Sequence, residues 1–215
     1  ISQRPKINIF IAGRKTYARK EISFSLAIKK DMAEDTEETT IKVIFEPTDT
    51  IYDVIEKINY EVDKNKNTKD TNSTDKAAKM FTILPGFLLN WSLNFVRFLD
   101  FYGKLPRFLT NLSPFHSSVF VTDLGSLGIK GVYHHIYNLG TNTIFVAFGI
   151  KSKEQYIDLN NKVIIKKAMD LKVVVDERVV DGYYFAKSIK LAKRIMSNPL
   201  QLLLPPEEVI IDNEI

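Results

Sequence analysis

Alternating apolar and polar residues predict β structure in the first part of the chain. Residues 22–28 and 40–45 alternate apolar side chains with small or polar ones, which fits strands with one buried face. A shorter strand is predicted over residues 7–11, and residues 12–14 are predicted to form a turn after it. We therefore expect a sheet in this part of the chain.

Two helices are predicted next. Between residues 51 and 62, apolar side chains recur every three or four positions, which predicts an amphipathic helix to about Lys64. Residues 63–76 contain no large apolar side chain and are predicted to form a mobile loop. A second helix is predicted over residues 86–102. Its aromatic stripe is typical of core or interface packing, or else forms a wall for an apolar ligand: Trp91, Phe95, Phe98 and Phe101.

The second half of the chain returns to β structure. Strands are predicted over residues 117–124 and 143–149, and Asn160-Asn161 suits a hairpin turn. Residues 168–175, which end in three β-branched valines, are predicted to form a central strand. A last helix is predicted from Asp181-Gly182 onwards. The pattern predicts one α/β domain over residues 1–215, an α+β sandwich with a mixed, largely antiparallel sheet and helices packed on it.

Composition narrows the classes of function. The 215 residues include 30 Lys and Arg against 26 Asp and Glu, a net charge of +4, and this mild excess does not indicate a nucleic-acid partner. The absence of cysteine excludes disulfides, thiolate metal sites and a cysteine nucleophile. No apolar run has the continuity of a membrane span or signal peptide, so we expect a cytoplasmic protein. Contact with a membrane surface through residues 86–102 is the weaker alternative, because the polar face of that helix is not clearly basic.

The most informative polar cluster lies where a predicted strand runs into the last helix. By residue type alone, Asp181 caps the helix, Arg178 pairs with Asp176, and Gly182 permits a tight turn. Polar groups at the end of a buried strand are also well placed to line a site. The residues by themselves leave both interpretations open.

This cluster also carries a family resemblance. Residues 176–182, Asp-Glu-Arg-Val-Val-Asp-Gly, resemble the Asp-His-Arg-x-x-Asp-Gly signature of the acyltransferase component of 2-oxoacid dehydrogenase complexes, and a related motif of chloramphenicol acetyltransferase. Residues 4–8, 118–125, 143–149 and 193–204 resemble further segments of the same family, in order and with suitable spacing. The resemblance covers nearly the whole chain.

The resemblance implies a chloramphenicol acetyltransferase-like fold and a homotrimer whose sites lie between subunits. It also implies that an opening strand and helix of the domain precede Ile1. The implied reaction moves an acyl group between coenzyme A, acting as a substrate, and a small-molecule thiol or hydroxyl acceptor. Neither a covalently bound cofactor nor a metal is expected.

Site residues of the family carry over one by one. Thr122 matches the hydroxyl residue that hydrogen-bonds the tetrahedral oxyanion, although a Thr packed inside a sheet is the alternative interpretation. Asp181 matches the signature Asp, whose role is to hold the site through an ion pair. Gly182 matches the signature Gly, a backbone requirement beside the substrate. Trp91 and Phe95 are the residues expected to contact an acyl group.

Glu177 stands where the family has a His as its general base. Reference pKa values are about 8.5 for a thiol, about 6.5 for His and about 4.3 for Glu. Taking a proton from a thiol therefore costs about 3 kcal/mol more for Glu than for His, or about two decades of rate. We therefore predict that Glu177 is a weak base or an acceptor-positioning group. The alternative is a non-catalytic trimeric scaffold or ligand-binding relative.

Three histidines occur outside the signature. His134 and His135 are adjacent, and His116 follows Pro114-Phe115. We interpret all three as surface or interface residues, because they lack the Asp-Gly partner at the required spacing. The alternative for His134 or His135 is that one of them reaches the channel and replaces the missing base. Two adjacent histidines without a third ligand are a weak metal signal.

Overall fold

The computed structural model describes residues 1–29, 38–67, 83 and 85–211. Seven strands and four α-helices follow one another in these segments, with short 3₁₀ turns at Pro5–Asn8, Gly125–Leu127 and Pro199–Leu203. The strands and helices are, in chain order, β1 Ile9–Ala12, β2 Lys15–Ala18, β3 Ile22–Lys29, β4 Glu38–Phe45, α1 Ile51–Asn67, α2 Gly86–Phe101, α3 Arg107–Leu112, β5 Val119–Asp123, β6 Ile144–Ile157, β7 Val163–Val175 and α4 Gly182–Ser197.

The main sheet has five strands in the order β4-β3-β5-β6-β7. The pairings of β3 with β5 and of β5 with β6 are parallel, whereas the two outer pairings are antiparallel. β1 and β2 form a separate antiparallel hairpin. The predicted mixed α/β architecture is confirmed, although parallel strands form the centre of the sheet.

Different groups cover the two faces of this sheet. On one face, α1 contributes Val54, Ile58 and Val62, which pack against a buried cluster in β4: Ile41, Val43 and Phe45. On the other face, Phe120 and Phe145 are buried under Phe115 and Tyr137. Side chains alternate between faces along a strand, so the β5 and β6 residues that face the aromatic cluster face away from α1.

β6 and β7 form an arm that extends past the rest of the sheet. The strands are 14 and 13 residues long and are joined at Asp158–Lys162, where Asn161 has a φ of 57°. In the part of the chain that the structure describes, β7 pairs with β6 alone, so the prediction of a central strand over residues 168–175 is wrong for the single chain. The arm exposes several apolar side chains: Ile157, Val163 and Ile165.

Several predicted elements have different limits in the structure. α1 continues to Asn67, so the loop predicted from residue 63 begins later. Polar contacts one turn apart support this end of the helix: Lys64 pairs with Glu61, and Asn65 Nδ2 donates to the Glu61 carbonyl. The rest of that predicted loop, residues 68–76, lies outside the described residues. α3 was not predicted, since its six residues are too short for a periodic pattern. Of the described helices, none is long and apolar enough to span a bilayer.

Candidate functional site

Thr122 lies at the end of β5 and lines a cavity of about 620 Å³. The floor of this cavity is aromatic and includes Phe120 and Phe145, whose rings stack with centroids 5.1 Å apart. His134 and Tyr137 line the same space. The hydroxyl of Thr122 makes no hydrogen bond to any residue that the structure describes, so it is available to a bound molecule.

The turn after β5 fixes the rim of this cavity. Asp123 Oδ1 accepts a hydrogen bond of 3.0 Å from the Gly125 amide, and Ser126 Oγ donates to the Asp123 carbonyl at 2.8 Å. A Cβ atom at Gly125 would lie 2.5 Å from the carbonyl oxygen of Gly149, so a larger residue is excluded there. The close approach of the two backbones holds Thr122 against β6.

A second cavity, of about 810 Å³, contains a concentration of arginine side chains. Arg14 and Arg97 line it and make no ion pair or hydrogen bond with the described residues. Arg14 occupies the second position of the two-residue turn between β1 and β2, where its φ is 64° and that of Gly13 is 54°. A left-handed conformation is unfavourable for Arg, but this type of hairpin turn requires it. The Arg14 side chain at the turn lines the cavity.

The two acidic residues of this cavity are already paired. Arg178 Nε and Nη2 donate to the two carboxylate oxygens of Asp176, and the shortest of these contacts is 2.6 Å. The Arg178 hydrogen bonds are the main reason that the pKa of Asp176 lies below its usual value. Asp100 is paired with His116. The cavity therefore keeps net positive charge at Arg14 and Arg97.

His116 is buried, so the prediction of a surface or interface histidine is wrong for this residue. It is 8% exposed, and its Nε2 lies 2.8 Å from Asp100 Oδ1, while Nδ1 lies 2.8 Å from Ser113 Oγ. The second Asp100 oxygen accepts from the Gly140 amide at 2.7 Å. Burial alone raises the pKa of Asp100, but the hydrogen bonds from His116 and Gly140 outweigh it and lower the pKa overall.

Glu177 is exposed and lies in the turn that links Asp176 to Val179. Across the sheet, Thr122 is paired with Ala147, which is paired with Lys172, five residues before Glu177. Strands about 4.8 Å apart that rise about 3.3 Å per residue put Val175, the last residue of β7, about 14 Å from Thr122, and Glu177 lies in the turn beyond it. Within one chain, the structure does not bring these two predicted site residues together.

Asp181 and Gly182 have local structural roles. Asp181 is the N-cap of α4, and its Oδ1 accepts from the Tyr184 amide at 2.7 Å. It makes no ion pair with any described residue, so the ion-pair role stays a prediction beside the observed cap. A Cβ atom at Gly182 would contact nothing within 4 Å, and its φ is not positive. Nothing in the described chain requires glycine at this position, and the backbone requirement beside the substrate stays a prediction.

Trp91 and Phe95 lie on an outer face of α2, with relative exposures of 66% and 49%. Their rings stack on each other with centroids 5.6 Å apart. Neither side chain lines the Thr122 cavity or the arginine cavity. Within one chain the stripe is not part of the core, and substrate contact through Trp91 and Phe95 stays a prediction.

Sequence reasoning missed Arg14, Arg97 and Asp100. Arg97 and Asp100 are the only charged residues in the 16-residue α2, and a charged pair in so apolar a helix is a usable signal. The Gly13-Arg14 turn carried a similar signal, because a two-residue hairpin turn of this type requires φ > 0 at both positions. The aromatic residues of α2 indicated packing, and the two charged residues near its C-terminal end were therefore not considered as site residues.

Comparison with known proteins supports the resemblance. Residues 114–204 match the family model of the 2-oxoacid dehydrogenases acyltransferase (catalytic domain). This segment contains Thr122, His134 and the 176–182 signature. The match agrees with the predicted family resemblance and covers residues 114–204, less than half of the chain. No curated protein matches the chain.

Solved structures show the same fold. The chain resembles a probable dihydrolipoamide acetyltransferase from Listeria monocytogenes 4b F2365 with a TM-score of 0.55 and 16% identity, over 92% of this chain and 64% of that one. It also resembles the dihydrolipoamide acetyltransferase of Azotobacter vinelandii, with a TM-score of 0.51 and 14% identity, over 94% of this chain and 65% of that one. The chain thus spans just under two thirds of the length of these two proteins. At these identities the likeness shows the fold alone.

The Asp181 cap and the Gly182 position predict opposite responses to alanine. Asp181→Ala removes the acceptor for the Tyr184 amide, so the free energy of unfolding should fall by about 1 kcal/mol. Gly182→Ala fills open space at a helical position and should leave stability unchanged or slightly higher. Urea unfolding of both variants measures this difference. A larger loss of unfolding free energy in Gly182→Ala than in Asp181→Ala would contradict the capping role of Asp181.

The Asp100–His116 pair predicts a loss of stability in acid. The folded-state pKa of Asp100 is lowered, so its stabilising contribution is complete above the unfolded pKa of about 3.9 and is lost as pH falls through the folded pKa. Melting temperatures between pH 6 and pH 2.5 should fall less steeply in Asp100→Asn than in the parent. Asp63→Asn, on the exposed side of α1, is the control, and equal slopes in all three proteins would contradict the prediction.

Proposed function

We propose that this protein transfers an acyl group between coenzyme A and a thiol or hydroxyl acceptor. The observation that carries the proposal is the hydroxyl of Thr122, which is unbonded among the described residues and points into a cavity with an aromatic floor. Its segment matches the acyltransferase family model. By analogy with the two dihydrolipoamide acetyltransferases of the same fold, dihydrolipoamide is the first acceptor to test.

In this reaction Thr122 stabilises the charge that develops on the acyl carbonyl oxygen. Attack by the acceptor on the thioester carbon forms a tetrahedral intermediate whose oxygen is negatively charged. A hydroxyl donor fixed at the end of a strand needs no reorganisation to meet that charge. The apolar floor of Phe120 and Phe145 excludes water, which strengthens the hydrogen bond.

The arginine cavity supplies a binding site for the phosphate groups of coenzyme A. Arg14 and Arg97 are the two cationic side chains there without a partner among the described residues. Phosphate oxygens form strong charge-assisted hydrogen bonds with guanidinium groups. Tyr137 lines both cavities, so they adjoin on the same side of the sheet. A ligand that binds its phosphates at Arg14 can thus extend past Tyr137 towards Thr122.

A homotrimer is part of the proposal. β7 has an unpaired outer edge in the described structure, and the arm exposes Ile157, Val163 and Ile165. An exposed apolar edge strand is a ready template for pairing with another chain. In such an assembly Glu177 and Thr122 can approach each other only from different subunits, as the family resemblance implies. We place this trimer in the cytoplasm.

The second candidate is a non-catalytic relative that has kept the fold and lost the reaction. The observation that favours it is Glu177, an exposed carboxylate at the position where the family has an imidazole. Assays of Glu177→Gln and Glu177→His distinguish the candidates. An inactive parent together with an active Glu177→His variant would favour the non-catalytic relative.

The proposal predicts that Thr122→Val is nearly inactive. Valine keeps the β-branched shape and removes the hydroxyl, so kcat for transfer from acetyl-coenzyme A to dihydrolipoamide should fall by about 100-fold or more. Thr110→Val is the control, because that hydroxyl is exposed on α3 and donates to the Arg107 carbonyl. A Thr122→Val protein with the kcat of the parent would refute the role of the hydroxyl.

The arginine cavity predicts a change in KM rather than in kcat. Replacing Arg14 and Arg97 by Ala should raise the KM for acetyl-coenzyme A by about tenfold, through the loss of charge-assisted bonds to phosphate. The KM for acetylpantetheine, which lacks those phosphates, should stay close to that of the parent. Arg107→Ala, at the exposed start of α3, removes one positive charge outside the cavity as a control. Equal increases in KM for both donors would contradict phosphate binding at this site.

A further inference from the structure

The Thr122 cavity contains an imidazole, although the signature does not. The ring of His134 lines the cavity and stacks on Phe145, with centroids 4.3 Å apart and an interplanar angle of 5°. Thr122 is paired with Ala147, two residues after Phe145 on the same face of β6. From strand geometry, the Cα atoms of Thr122 and Phe145 are about 8 Å apart. The imidazole therefore lies over the strand next to Thr122.

A backbone contact fixes the tautomer of this ring. His134 Nδ1 lies 2.8 Å from the carbonyl oxygen of His135. A carbonyl oxygen can only accept, so Nδ1 carries the hydrogen and, in the neutral ring, Nε2 carries a lone pair. Nε2 makes no hydrogen bond to any residue in the described part of the chain. A ring oriented through one nitrogen and open at the other is the arrangement that a general base requires.

Glu177 meets these requirements less well. Its carboxylate is exposed and lines neither the Thr122 cavity nor the arginine cavity of its own chain, so in the proposed trimer it reaches Thr122 only from another subunit. A carboxylate beside a forming thiolate also adds like-charge repulsion, whereas a neutral imidazole does not. The cavity, the stacking and the tautomer all favour the histidine.

We propose that His134 is the general base of the acyl transfer, an inference that rests on the proposed function. Its Nε2 takes the proton of the acceptor thiol or hydroxyl while the acceptor sulfur or oxygen bonds to the thioester carbonyl carbon. The π electron pair moves to the carbonyl oxygen, to which Thr122 donates a hydrogen bond. When the carbonyl re-forms, the carbon–sulfur bond to coenzyme A breaks. The departing thiolate then takes the proton from the imidazolium, and acyl-coenzyme A and the acceptor are the only reactants.

This assignment is tested in the full-length protein with acetyl-coenzyme A and dihydrolipoamide. His134→Gln should lower kcat by about 100-fold or more, because general-base catalysis contributes about 10²–10⁴. His135→Gln is the matched control: it keeps the backbone carbonyl that binds His134 Nδ1 and removes only an exposed ring that stacks on His134 with centroids 4.9 Å apart. In the parent, kcat/KM should rise with pH through a base ionisation, and that rise should be absent in His134→Gln.

Chemical rescue separates catalysis from structure. His134→Ala leaves space over Phe145, so added imidazole should restore activity in proportion to its concentration, which a purely structural defect would not allow. Thermal unfolding of each variant shows whether it is folded. If His134→Gln proves unfolded, imidazole rescue of folded His134→Ala tests the assignment in its place.

Three results would overturn the assignment. If His134→Gln keeps the parental kcat while Thr122→Val loses it, acyl transfer stands and the base is another group. If Glu177→Gln carries the loss and imidazole fails to rescue His134→Ala, the base is Glu177. If the parent gives no turnover with either acceptor class, the proposed function fails, and the role of His134 fails with it.

Discussion

The in-register parallel pairing of β5 with β6 is the constraint on which the site depends. It places Phe120 beside Phe145 and Thr122 beside Ala147. Because side chains alternate along a strand, a slip of one residue would turn Thr122 towards α1 and bury its hydroxyl under an apolar helix. The stacked Phe120 and Phe145 rings resist such a slip, since both would lose their aromatic neighbours. Packing of the sheet therefore sets the direction of the candidate catalytic hydroxyl.

This pairing also divides the sheet into a structural face and a chemical face. α1 covers the first face through apolar contacts with β4, which anchor the sheet. The second face has aromatic rings at its centre and two adjoining cavities above it. The exposed edge of β7 and the apolar arm leave the same sheet ready for pairing with another chain. One sheet thus supplies the core, the candidate site and an exposed apolar edge.

Charge is distributed unevenly around the chemical face. Arg178 neutralises the charge of Asp176, whereas both carboxylate oxygens of Asp100 are hydrogen-bonded, one to His116 and one to the Gly140 amide. Arg14 and Arg97 make no ion pair with a described residue, so their positive charges remain available to a ligand. The cavity that results is suited to an anionic group, while the Thr122 cavity is apolar with a few polar atoms. This difference matches a donor that has phosphates at one end and a thioester at the other.

The sequence by itself determined most element types, the mixed α/β class and the resemblance to the acyltransferase family, because apolar spacing and the signature are local in the chain. It also determined the Asp181 cap and the Asp176–Arg178 pair, since both join residues only two or three positions apart. It did not determine strand order, and so a valine-rich segment was predicted to be central when it forms the edge strand of one chain.

Only the tertiary structure decided which polar residues share a cavity. Thr122 and His134 are brought together because a loop folds back over β6, and Arg14 and Arg97 because a hairpin turn meets the end of α2. Asp100 and His116 are 16 positions apart, and nothing in their local sequence indicates a pair. Contacts of this kind depend on how elements pack across the sheet, and that packing is a property of the whole fold rather than of any segment.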